Sequence, residues 1–97
     1  MLNGKQRAAL RSLANPLRAI FQIGKDGLSE NLINQLDDAL RARELIKIHV
    51  LETVDEEPYD LCDQLAEILR AEPVQCVGRK IVLFRRNYDD PKIDIKL

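Results

Sequence analysis

Ile20-Phe21-Gln22-Ile23-Gly24-Lys25-Asp26-Gly27-Leu28-Ser29 is the stretch on which the reading of this chain turns. A short apolar run stops at one glycine, reverses within two residues and passes a second glycine into a segment of helical spacing. Such a succession predicts strand, tight loop and helix N-terminus. Two readings stay open for the loop. Two glycines suffice to make a plain turn, and the same backbone, free of Cβ atoms and followed by unpaired helical N–H groups, can hold a phosphate.

Beyond the loop, Leu28, Leu32, Ile33, Leu36, Ala39 and Leu40 recur at helical spacing to about Arg43, with Ser29 placed to cap. Leu45 to Leu51 alternates, with Ile46, Ile48 and Val50 on one face and Lys47 and His49 on the other, as in a strand covered on one side. Upstream, Asn3 and Gln6 have capping-box spacing ahead of a stripe of Ala9, Leu10, Leu13 and Leu17, which Asn15-Pro16 interrupts. Downstream, Thr53 and Glu56 have the same spacing before Pro58, and Tyr59, Cys62, Leu65, Ala66 and Leu69 mark a third helix. Val74–Val77 and Ile81–Phe84 flank Gly78-Arg79-Lys80 and read as a hairpin. The expected class is α/β, a two-layer sandwich of order α-β-α-β-α-β-β on a four-stranded mixed sheet. At 97 residues, 1–97 is expected to be one domain with its core in about 2–86 and a flexible polar tail at 87–97.

The composition, 45% apolar and 32% charged, is that of a globular chain, and no apolar run approaches the ~20 residues of a membrane span. Neither a leader nor a membrane partner is expected, and the cytoplasm is the expected compartment. The net charge of −1 conceals a sharp partition. Residues 1–51 carry eight Lys/Arg against five Asp/Glu, residues 52–76 one against eight, and residues 77–97 six against three. No acid precedes Asp26, so Lys5, Arg7, Arg11, Arg18 and Lys25 stand unopposed. The local field, rather than the net charge, decides whether a polyanion is attracted.

Catalytic parts are missing. His49 is the single histidine and lies on an alternating strand, and Cys62 and Cys76 fit core thiols rather than a nucleophile or a metal spacing. The Gly24–Gly27 loop is neither a dinucleotide fingerprint nor a Walker loop. No catalytic residue, metal, cofactor or small-molecule substrate is therefore expected. With two Tyr, two Phe and no Trp, stacking of bases over a broad sheet is not expected either. Binding through charge and backbone shape remains. The candidate residues are Gly24, Lys25 and Gly27 in the loop, Lys5, Arg11 and Arg18 around the first helix, and Arg79, Lys80 and Arg85 around the hairpin. A second class of function stays open, an adaptor whose acidic third helix (Glu56, Glu57, Asp60, Asp63, Glu67) meets a basic protein.

Leu2-Asn3-Gly4-Lys5-Gln6-Arg7, Ile23-Gly24-Lys25-Asp26-Gly27-Leu28-Ser29, Glu44-Leu45-Ile46-Lys47 and Val77-Gly78-Arg79-Lys80-Ile81-Val82-Leu83-Phe84-Arg85 occur in that order. Together they resemble the CRM domain, and within it the bacterial single-domain YhbY type, over about residues 2–86. The resemblance implies an RNA-binding fold similar to the C-terminal domain of bacterial translation initiation factor three. It also implies that the partner is RNA, specifically large-subunit ribosomal RNA precursors or pre-50S particles during assembly, and a non-catalytic monomer is expected. This chain departs from the pattern at Asp26, an acid in a loop that usually carries a polar or basic residue there, and in the acidity of its third helix.

Overall fold

The computed structural model describes residues 2–96. Seven elements follow one another: α1 (Gly4–Ala14), β1 (Phe21–Ile23), α2 (Glu30–Arg43), β2 (Leu45–Val50), α3 (Pro58–Leu69), β3 (Glu72–Val77) and β4 (Lys80–Phe84). The strands form one mixed sheet in the order β1-β2-β4-β3. β1 runs parallel to β2, whereas β4 is antiparallel to both β2 and β3. Class, element order and the four-stranded mixed sheet are those expected.

Local chemistry starts and stops each helix. Asn3 and Gln6 form the reciprocal capping box, with bonds of 2.8 and 2.9 Å. Ser29 Oγ accepts the Leu32 N–H at 3.2 Å to open α2. The third expected cap does not form. Glu57 occupies the N-cap of α3 without a side-chain bond, and Glu56 instead accepts from Gln64 at 3.3 Å. Pro58 at the first helical position removes one unpaired N–H, so α3 starts without a capping box.

The number of layers differs from expectation. Ile46, Ile48, Val50, Ile81 and Leu83 point into one cluster with Leu36 and Leu40 of α2 and Leu61, Leu65 and Leu69 of α3. Leu45, Val74, Val82 and Phe84 point the other way, against Leu10 and Ala14 of α1. Helices thus lie on both faces of the sheet, α2 and α3 on one and α1 over part of the other. The reason is visible in β4, where Ile81-Val82-Leu83-Phe84 are all buried, as a strand covered on both sides must be. Along β2 the second face changes character, from Leu45 under α1 to the half-buried Lys47 and His49 beyond it.

Residues 87–96 are docked rather than loose. Glu44 joins α2 to β2 in a single residue of positive φ (67°), and its side chain is fully buried. Its carboxylate accepts the backbone N–H groups of Asn87 (2.6 Å), Lys92 (2.6 Å) and Ile93 (2.7 Å), and pairs with Arg86 at 3.2 Å. Arg86 in turn donates to the carbonyls of Ile93 and Ile95, whose side chains pack beside α1. Burial alone would push the Glu44 carboxyl up. The backbone N–H groups and the Arg86 guanidinium outweigh it and hold the pKa below the usual glutamate value. A composition-based view of the tail as mobile overlooked this buried acceptor.

Candidate nucleic-acid interface

The parallel pairing of β1 and β2 puts their C-terminal ends side by side, and the antiparallel β4 begins at the same end. Leu51 N–H donates to Ile23 O at 2.9 Å and Val50 N–H to Arg79 O at 2.8 Å. The Gly24–Gly27 loop and the Gly78-Arg79 turn therefore share one rim of the sheet. In the loop, Gly27 N–H closes a turn onto Gly24 O at 2.9 Å, with Lys25 and Asp26 at its tip.

The two glycines have different reasons to be there. Gly27 sits at φ 64°, the left-handed region that favours glycine. Gly24 has no such demand, and a Cβ placed on it would meet only Leu51 Cδ1 at 3.7 Å, an ordinary contact. The fold explains Gly27; it does not explain Gly24. Asp26 makes no hydrogen bond among the described residues, since Ser29 is the cap, and Glu30 lies in the first turn of α2. One cation and two acids thus border the loop, which by itself is not a cationic site.

The positive charge lies on the sheet. Ladder partners project to the same face, and the register aligns Gln22 with His49, His49 with Lys80 and Lys80 with Val77. All four belong to the face carrying α1, beyond the part that α1 covers. Lys47 stands on the same face of β2, its ammonium reaching Asn15 O at 3.4 Å at the end of α1. Arg11 follows Arg7 by one turn on the side of α1 nearest β3, where Arg7 donates to Pro73 O at 3.4 Å. Arg18 borders the same region beside Lys47. The acidic residues Asp60, Asp63 and Glu67 are exposed on α3, against the opposite face. Most of the α3 acids thus lie across the sheet from these cations, with Asp63 sharing a hollow at the β3 edge with Arg7.

Of the residues singled out from sequence, Lys80 thus lies on the uncovered face and Arg18 beside it, Arg11 is on α1 one turn beyond Arg7, and Lys25 stands at the tip of the rim loop. Lys5 is exposed but lies toward Asp94 and Lys96, away from it. Two arginines have internal duties. Arg79 donates to the carbonyls of Val50 (2.8 Å), Leu51 (2.6 Å) and Val54 (3.3 Å) and so clamps the segment leaving β2. Arg85 lies on the α2–α3 side, bonded to Asp37 at 2.8 Å and to Leu69 O at 2.8 Å. Its hydrogen bond holds the Asp37 carboxyl below the usual aspartate value. Lys47, Gln22 and His49 belong to the face but were not singled out. The shared parity of Lys47 and His49 on β2 was the available signal for those two; Gln22, on β1, joins them only through the strand register.

Burial, reinforced by the field of Cys76 and Asp63, pushes the Cys62 thiol up to about 11, far from a nucleophile's range. Among the described residues no three potential metal ligands of the His, Cys, Asp and Glu types gather. No helix of the described residues is long and apolar enough to cross a membrane.

A small α/β fold with a glycine loop at the rim of a partly uncovered cationic sheet defines the class. The CRS1 / YhbY (CRM) domain model matches residues 2–85, and the chain belongs to that family. It is 42% identical over 95 residues to the Bacillus subtilis protein named "Probable RNA-binding protein YqeI", covering 98% of this chain and 99% of that one. It is 30% identical over 94 residues to a Haemophilus influenzae protein named "RNA-binding protein", with 97% and 94% of the two chains covered. The solution structure of a hypothetical Staphylococcus aureus protein, described as a candidate RNA binder, superposes with a TM-score of 0.82. That protein is 46% identical, and the match covers 100% of this chain and 99% of the other.

Proposed function

We propose that this protein is a non-catalytic RNA-binding domain that contacts structured RNA through the uncovered sheet face. In the cell its target is large-subunit ribosomal RNA in precursor particles during assembly, and the protein acts as a cytoplasmic monomer. The carrying observation is the placement of Lys47 and Lys80 on one face of the sheet with Arg18 beside them, while α3 packs on the other face. The names of its relatives point the same way.

In this reading the cations engage phosphates without a base code, and Gly24 lets a strand of the backbone approach the rim. Affinity then depends steeply on salt. Replacing Lys25 and Lys80 by alanine removes two phosphate contacts, and the log–log salt slope should fall by about 1.4 for single-stranded RNA. The protein should also co-sediment with pre-50S material on sucrose gradients at low salt and dissociate at high salt. Free migration of the wild type at low salt would remove the ribosomal part of the proposal. An unchanged salt slope in the double variant would remove the sheet face as the contact. The exposed acids of α3 favour a second reading, a contact with a basic protein, which the same double variant would leave intact.

A further inference from the structure

An open groove of about 540 Å³ lies where the end of α1 passes the first half of β2. Its apolar lining includes Leu13, Leu17, Ile20 and Leu45, of which the first three are 46%, 40% and 50% exposed. Such a cluster of large apolar side chains on a small protein is costly to leave in water and marks a contact surface. Every charged residue lining the groove is a cation: Arg18, Arg43, Lys47 and Lys92, the last paired with Asp90 at 2.7 Å. The tail supplies Lys92 and Ile93, and Glu44 fixes both by their backbone N–H groups.

The sheet adds a third property. β1 pairs with β2 only from Phe21 opposite Ile48 onward, so the start of β2 has β4 on one side and no strand on the other. Val50 N–H and Glu44 O point to the β4 side, and Leu51 N–H points to β1. Alternation therefore turns the backbone polar groups of Leu45 and the N–H of Lys47 toward the groove, while the parallel register takes the Lys47 carbonyl into the β1 ladder. The occupant called for has apolar faces, a polar edge and anionic flanks. An added peptide strand would find too short an edge, because on that side only the residues of β2 before Ile48 have no β1 residue opposite them.

We propose that this groove seats an unstacked nucleobase of the bound RNA, with Arg18, Arg43 and Lys47 holding the phosphates that flank it. The inference rests on the RNA-binding reading above and adds a preference for single-stranded or looped-out nucleotides. Aliphatic side chains and guanidinium planes supply the stacking surface in a chain poor in aromatics.

The test uses fluorescence anisotropy with a fluorescein-labelled single-stranded RNA ten-mer of mixed sequence, and the same ten-mer paired to its complement. Leu17→Ala with Ile20→Ala changes no charge and removes exposed apolar surface, so melting should stay near wild type. Single-strand binding should weaken about tenfold with an unchanged salt slope, and duplex binding should be unaffected. Methyl NMR signals of Leu13, Leu17 and Ile20 should shift with the single strand and not with the duplex. If the double variant binds the single strand as the wild type does while Lys25→Ala/Lys80→Ala does not, the groove inference fails and the RNA reading stands. If the wild type binds neither probe, the RNA reading itself fails. Methyl shifts with an acidic, apolar peptide and none with RNA would assign the groove to a protein partner and overturn the proposal.

Discussion

Replacing Glu44 by glutamine tests the least expected feature of the fold, a buried carboxylate that organises the chain after β4. The substitution conserves shape and removes the charge. Glutamine can keep one oxygen for the N–H groups of Lys92 and Ile93, which both bond Oε1. Its amide nitrogen then faces Asn87 N–H, which donates to Oε2 at 2.6 Å, and the Arg86 guanidinium at 3.3 Å. A charge-assisted bond is lost and a buried N–H is left facing another donor. The combined cost is about 3–5 kcal/mol, comparable to breaking a buried ion pair from one side. For a domain of this size that corresponds to a fall in Tm of about 15–30 °C.

The pH dependence follows from the same contacts. The folded-state pKa of Glu44 is depressed, so its contribution is complete above the unfolded-state pKa and disappears as pH falls through the lower folded value. Thermal melts followed by circular dichroism should therefore show a large gap between wild type and Glu44→Gln at pH 7. The gap should begin to narrow as pH falls below the unfolded-state glutamate value of about 4.3, because from there the unfolded wild-type chain takes up a proton that folded Glu44 resists. Asp37, likewise depressed, is present in both proteins and does not close the gap. A Tm within about 3 °C of wild type at pH 7, or a gap that stays constant down to pH 3, would refute the role assigned to Glu44.

Arg79→Ala should destabilise by about 2–4 kcal/mol, because three carbonyls lose their donor, and amide exchange should speed up in residues 51–54 first. Gly27→Ala should cost about 1–2 kcal/mol through its positive φ, measured by urea unfolding. Gly24→Ala should leave stability within about 0.5 kcal/mol and yet weaken RNA binding, since only an approaching ligand meets the new methyl group. Equal stability losses at the two glycines would show that Gly24, too, serves only the fold.

Much of this architecture is legible in local chemistry. The capping box of Asn3 and Gln6, the Ser29 cap, the alternation along β2 and the glycines of the loop and hairpin act within a few residues of themselves, so the chain alone reveals them. The sequence could also show that its charge comes in blocks. Only the tertiary structure decided what the charges do. Arg79 and Arg85 read as surface cations, but each finds carbonyls or a carboxylate on residues 16 to 48 positions away in the chain. Alternation puts Lys47 on the polar side of β2, and only the packing of α1 makes it border both the cationic face and the apolar groove. Glu44 looked like one acid among sixteen, yet it binds backbone groups 43 to 49 residues further on. Helix caps and strand faces are set by neighbours along the chain. Whether an arginine is free for RNA depends on partners that only the packing of the sheet brings within reach.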